Sequence, residues 1–212
     1  MTMTTDVPTL RGVSHQLAFL CAAGAGVVLV AMSRTASAAL ATAVYAASLV
    51  AMYGVSATYH RLARARRASV FWQRADHATI FVFIAGSYTP ICILAVGGDV
   101  GARLLALVWT GAAAGALQAI AWPRAPRAIA AALYVLLGWA LVACWRDVAV
   151  ALGAAAQTLL VVGGVLYTAG AVVYALRRPD PSPRVLGYHE VFHLLVIAAS
   201  VCHFAAVILL VR

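Results

Sequence analysis

A chain of 212 residues that is 65% hydrophobic and only 10% charged has too little polar surface for a water-soluble globule, in which about a quarter of the residues carry charge. Its net charge of +9 comes from 15 basic residues, all arginine, which sit in short gaps between apolar runs and not along one soluble face; this argues against a nucleic-acid binder and for a membrane surface. The four cysteines, Cys21, Cys92, Cys144 and Cys202, fall inside apolar runs without CxxC spacing, so they suggest neither a disulfide framework nor a thiolate metal site and read as small core residues.

Seven apolar runs of about 17 to 25 residues are each long enough to cross a hydrocarbon core of about 30 Å at about 1.5 Å per residue. The first, residues 15–32, follows Arg11, and with the triplet Ala36-Ser37-Ala38 it also has the outline of a secretory signal and its cleavage site. A signal core is shorter, about 7 to 15 residues, and Arg34 interrupts the approach to the triplet, so the run is read as a span. The second, residues 40–60, ends in Ser56 and His60. The third, residues 75–96, opens with Asp76 and His77 and carries Pro90, which predicts a kink. Gly111 and Gly115 in the fourth, residues 102–122, have the spacing that lets helices approach closely in lipid. Pro123 and Pro126 then mark a turn before the fifth, residues 128–145. Gly24 and Gly26 in the first run, and Gly163, Gly164 and Gly170 in the sixth, residues 152–176, are further packing glycines. The seventh, residues 188–211, opens with His189, Glu190 and His193. The short gaps predict a single all-α membrane domain over residues 1–212, a polytopic bundle of seven transmembrane helices.

Basic residues concentrate on the cytoplasmic side of membrane proteins. An amino terminus in the cytoplasm puts Arg11, Arg61, Arg64, Arg66, Arg67, Arg74, Arg124, Arg127, Arg177, Arg178 and Arg184 inside, and only Arg34, Arg103, Arg146 and Arg212 outside. Seven spans then leave the carboxyl terminus outside.

Ionisable groups are costly within a membrane, which makes function the default reading for them. His60, Asp76, His77, His189, Glu190 and His193 come from three spans and all lie at the cytoplasmic end of this topology. His189 and His193 are four residues apart, hence one turn apart on one helix face and able to share a metal ion; Ser56 and His60 repeat that spacing. With a third histidine from a neighbouring helix, tetrahedral zinc keeps one position open for water, as catalytic sites do. Asp76 could hold that water or an imidazole N–H. The same donor set also suits ferrous iron. The plainer alternative is that these histidines are helix-end residues bonded to headgroups or loop carbonyls. The segment His189-Glu190-Val191-Phe192-His193 also fits HExxH, in which glutamate is the base of a zinc protease. Ser200 and His203 lie roughly 10 to 15 Å deeper than His193, too far to share its metal, and His203 reads as a hydrogen-bonded core residue or as part of a polar path. His15 and His77 read as structural.

Three segments, Ser56-Ala-Thr-Tyr-His60, Asp76-His-Ala-Thr-Ile-Phe-Val-Phe-Ile-Ala-Gly-Ser-Tyr-Thr-Pro90, and His189-Glu-Val-Phe-His193 with Cys202-His203-Phe204, together resemble the haemolysin III family. That family is similar to the progestin and adipoQ receptors, which include the adiponectin receptors, and to the alkaline ceramidases. Pro123-Arg-Ala-Pro-Arg127, Gly138-Trp139 and Gly163-Gly-Val-Leu-Tyr-Thr-Ala-Gly170 extend the resemblance over nearly the whole chain. The first span departs from it: Gly12-Val-Ser-His15-Gln-Leu-Ala18 lacks the preceding acidic pair and the glycine after the histidine that the family usually has. The resemblance implies zinc near the cytoplasmic leaflet held by His60, His189 and His193, with Asp76 orienting the water and Ser56 as its polar neighbour. It also implies that the residue after the first histidine of HxxxH is dispensable, against a protease role for Glu190. The expected protein is multi-pass in a bacterial inner (cytoplasmic) membrane, in contact with membrane lipids, with a lipid or fatty-acyl ligand between its helices. The readings that compete are a zinc-dependent hydrolase of lipid amides, ceramidase-like; a non-enzymatic lipid sensor or homeostasis factor with structural zinc; and a pore-forming cytolysin, which the lack of a soluble phase or polar lumen disfavours.

Overall fold

A computed structural model describes residues 8–63 and 66–211, with residues 66 and 67 as backbone only; Arg64 and Arg212, and the side chains of Arg66 and Arg67, all used in the basic-residue count, lie outside that description. In order, the helices are α1 (Val13–Ala31), α2 (Ala36–Arg61), α3 (Arg66–Pro90) continued by a π-helical turn (Ile91–Val96), α4 (Gly98–Ala121), α5 (Arg127–Gly138), a 3-10 turn (Ala140–Cys144), α6 (Trp145–Ala151), α7 (Ala154–Leu176) and α8 (Tyr188–Val211). A lipid-embedded backbone must pair all its polar groups within itself, which leaves helices as the local solution. Among the described residues, seven helical segments are long and apolar enough to cross a membrane, α5 to α6 together making the fifth. Their outward faces are aliphatic: Val27 is 71% exposed, Leu117 66% and Val150 91%, an exterior suited to acyl chains and not to water.

Helix boundaries follow local chemistry. Gly12 precedes α1 with φ of 77°, a left-handed conformation that a side chain resists. Thr35 caps α2 by accepting the Ala38 N–H at 3.2 Å. Pro90 has no N–H for the carbonyl four residues back, and beyond it the ladder widens until Gly97 N–H bonds the Cys92 carbonyl, five residues back, at 3.0 Å. The predicted kink is therefore a π-turn.

Two boundaries differ from the sequence reading. The third helix begins at Arg66 and not at residue 75, so Asp76 and His77 lie about 15 Å inside it; arginines stop an apolar run without stopping a helix, for which arginine is a good former. The fifth span breaks after Gly138. The Tyr88 hydroxyl takes over the freed backbone, donating to the Gly138 carbonyl at 2.7 Å and accepting the Leu141 N–H at 3.0 Å.

Successive helices pack along the chain from α1 to α4, α5 packs on α7 and α7 on α8, and α8 returns to α1, closing a ring around which α3 also reaches α5 and α8. The interior holds Tyr45, Met52, Tyr53 and Phe83 on one side, and Phe81, Tyr88, Leu104 and Val108 on the other. The small residues act individually. A Cβ on Gly115 would stand 2.3 Å from the Phe81 ring, one on Gly111 2.7 Å from Leu137, and one on Gly26 2.9 Å from Ala46, whereas one on Gly24 would meet nothing within 4 Å. Gly24 is therefore not a packing glycine, contrary to the sequence reading, because its face of α1 has no neighbouring helix.

Candidate metal centre and cavity

The end of α2 and the beginning of α8 carry the three histidines. One nitrogen each from His60, His189 and His193 lies within 4.8 Å of the other two. The Nε2 atoms of His60 and His189 are 3.0 Å apart, close to the separation of about 3.3 Å that two nitrogens adopt on a tetrahedral zinc. Nδ1 of His193 is buried without a partner. Two imidazole nitrogens facing each other need a proton or a cation between them, and an all-imidazole set suits zinc, copper or iron; the three histidines fit a metal ion. They stand where they do because α8 puts His189 and His193 one turn apart on one face and α2 ends against that face.

The start of α8 is pinned from several directions. Asp180 Oδ1 accepts the Tyr188 N–H at 2.8 Å. Arg127 donates to the Tyr188 hydroxyl at 3.0 Å and lies 5.6 Å from the centre of the Tyr174 ring. Glu190, buried, pairs through Oε1 with Arg11 and through Oε2 accepts the Gly187 N–H at 2.8 Å. The segment before α1 is thereby drawn across the α7–α8 connection, where the Thr9 N–H also bonds the Arg184 carbonyl at 3.0 Å. Gly12 belongs to this crossing, since a Cβ there would lie 2.7 Å from His60 Cβ.

Asp76, on α3, is buried with Oδ2 3.8 Å from His60 Nε2. Ser56, one turn before His60, hydrogen-bonds His15 Nδ1 at 2.9 Å. His15 is the residue that the sequence reading undervalued. Its ring stacks on His193 with centroids 3.6 Å apart and planes within 8°, and its Nε2 is buried without a partner. The available signal was positional: in an up-and-down bundle, odd-numbered spans open at the same end, which sets His15 level with His189.

A cavity of about 110 Å³ leads from this cluster into the bundle. His15, Ser56, Asp76, His189 and His193 line its polar end; Ile80, Phe83, Ile84, Phe192 and Val196 line its middle; His203 and Tyr167 stand farther in. His77 also lines it, and its backbone carbonyl accepts the Tyr134 hydroxyl at 3.2 Å. His203 does not join the three histidines. Both its ring nitrogens are buried without a partner, its edge lies against Gly163, and it meets the Tyr167 ring edge-on at 5.3 Å. Tyr167 in turn hydrogen-bonds Ser200 at 2.8 Å.

Comparison with known proteins places the chain in a family. A family model described as haemolysin-III related matches residues 3–204. Hemolysin-3 of Bacillus cereus is 27% identical over 211 residues, covering 98% of this chain and 93% of that protein. A Hemolysin-3 homolog of Bacillus subtilis (strain 168) is 26% identical over 165 residues, 78% of this chain and 74% of that one. The heptahelical transmembrane protein ADIPOR2 of Oryza sativa subsp. japonica is 35% identical over 170 residues, 72% of this chain and 74% of that one.

Proposed function

The chain belongs to the haemolysin III-related family, and we propose that within it this protein is a zinc-dependent hydrolase of lipid amide bonds, ceramidase-like in its chemistry, in the inner membrane of a bacterium. The observation that carries the reading is the convergence of three imidazole nitrogens at the polar end of a largely apolar cavity. At about 110 Å³ the cavity has room for only a few methylene groups, so a long acyl chain would enter it by parting the lining helices, with its carbonyl left beside the histidines. The basic-residue bias supports an amino terminus in the cytoplasm and a carboxyl terminus outside.

His60, His189 and His193 would hold the zinc and leave it one open position. Bound zinc would polarise a carbonyl and lower the pKa of a water toward about 7. Asp76, buried at the same level, would orient that water and take its proton. Ser56, its hydroxyl fixed by His15, would hydrogen-bond the amide. Glu190 is unsuited to the base role of HExxH because Arg11 and the Gly187 N–H claim its two oxygens.

The decisive measurement is elemental analysis of the detergent-purified protein after dialysis against a weak chelator, followed by hydrolysis assays on long-chain lipid amides. About one zinc per chain, lost in His189→Ala, with turnover lost but zinc kept in Asp76→Asn, is the expected outcome. No metal in the wild type would overturn the hydrolase reading. Because an apolar cavity also suits a ligand that is never cleaved, zinc without turnover on any amide would leave a lipid sensor with a structural metal.

A further inference from the structure

A second concavity opens on the other side of His60, outside the ring of helices. It is a groove of about 930 Å³ between the segment before α1, the face shared by α1 and α2, and the first part of α3. Phe19 and Leu20 line its apolar part, Tyr59 and Trp72 its flank, and Arg11 and Arg61 its end. Arg61 is exposed, and of the Arg11 guanidinium only Nε is engaged with Glu190. The sequence around this end is strongly one-signed: positions 61–74 carry five arginines and no acidic residue. Arginine beside tyrosine and tryptophan at the end of a span marks headgroup depth, where aromatic rings and basic side chains anchor a membrane protein, and basic pockets between spans at that depth bind anionic headgroups.

We propose that this groove is a binding site for a phospholipid with an anionic headgroup, whose phosphate is held at Arg61 and Arg11 and whose acyl chain lies along Phe19 and Leu20. Charge complementarity selects the ligand: Glu190, buried against Arg11, does not line the groove, so its end is cationic. The length of apolar wall below the arginines selects a bilayer lipid and not a free phosphate. His60 stands between the groove and the candidate metal centre, but the proposal does not depend on a metal being bound.

Of the five tryptophans, Trp72 is the one in the groove, and its fluorescence reports occupancy directly. The full chain in vesicles or nanodiscs of brominated phosphatidylglycerol mixed with phosphatidylcholine, against brominated phosphatidylcholine mixed with phosphatidylglycerol, gives the relative affinity of the two lipids, with Trp72→Phe isolating the Trp72 signal. Phosphatidylglycerol is expected to win by about fivefold or more, an advantage that falls about fivefold in Arg61→Gln and is kept in Arg61→Lys. Arg103→Gln, outside the groove, should leave the preference unchanged. Ala51→Leu, on the exposed groove surface, should weaken access of both brominated lipids to Trp72 and tests the groove without touching a charge or adding a fluorophore. Equal quenching by the two lipids would overturn the proposal, as would a preference unmoved by Arg61→Gln or moved equally by Arg103→Gln, which would reduce it to a general surface potential.

Discussion

Glu190 shows how far a residue's neighbours decide its role. In the string HExxH it occupies the place of a general base, yet one oxygen pairs with Arg11 and the other accepts the Gly187 N–H, so it ties the segment before α1 to the start of the helix that carries two histidines. Glu190 is buried while Arg11 keeps 22% exposure, so breaking the pair costs less than the roughly 3–5 kcal/mol of a fully buried one, and most when it leaves the Glu190 carboxylate desolvated and unpaired. Glu190→Gln is therefore expected to lower the thermal midpoint of the metal-free protein clearly, read by scanning fluorimetry in detergent, and Arg11→Gln to do the same. A base would behave oppositely: Glu190→Gln would abolish turnover and leave the midpoint where it was. His15 makes the complementary point. Nothing in its own sequence neighbourhood distinguishes it, and only the packing of α1 against α8 brings its ring onto His193 and its Nδ1 to Ser56.

At the scale of elements, the small residues separate into those that admit a neighbour and those that do not. A Cβ on Gly163 would stand 2.2 Å from the His203 ring, which rests in the notch that the glycine leaves between α7 and α8; at Gly24 the space is open. Gly163→Ala is thus expected to destabilise by about 1–3 kcal/mol through overpacking. Gly24→Ala is expected to be neutral or to stabilise by about 0.5–1 kcal/mol through the better helix propensity of alanine. Urea unfolding of the two variants in mild micelles checks the contrast, and equal effects would mean that the α7–α8 contact is not as close as described. The break in the fifth span belongs to the same scale. Apolarity runs unbroken through Gly138 and Trp139, so a hydropathy reading joins α5 to α6; the Tyr88 hydroxyl, fifty residues away in the chain, satisfies the backbone groups that the break frees.

For the whole molecule, the arginine distribution predicts which side of the membrane each loop faces. In intact cells a membrane-impermeant maleimide is expected to label Ser37→Cys, at the exposed start of α2, and to spare Ser182→Cys in the exposed α7–α8 connection. The reverse pattern would invert the topology and put the three-histidine end on the outer face. Membrane residence, an all-helical fold and seven spans were legible from the chain alone, because hydrophobic length and the cost of unpaired backbone groups in lipid depend on composition and not on partners; the family was legible from the motifs around His60, Asp76 and His189. That His189 and His193 share a helix face with a histidine from a neighbouring helix at the same end was legible as well, since the spacing of four residues and the common end of the spans are properties of sequence and topology; that His60 is this third histidine was implied by the family resemblance and is seen in the structure. Three things were decided only in the tertiary structure: that Asp76 lies several turns inside its helix, that His15 joins the cluster, and that Glu190 is engaged by Arg11. Each depends on a contact between residues more than forty positions apart or on where a helix continues past its apolar run, and neither is encoded in the local periodicity from which a sequence is read.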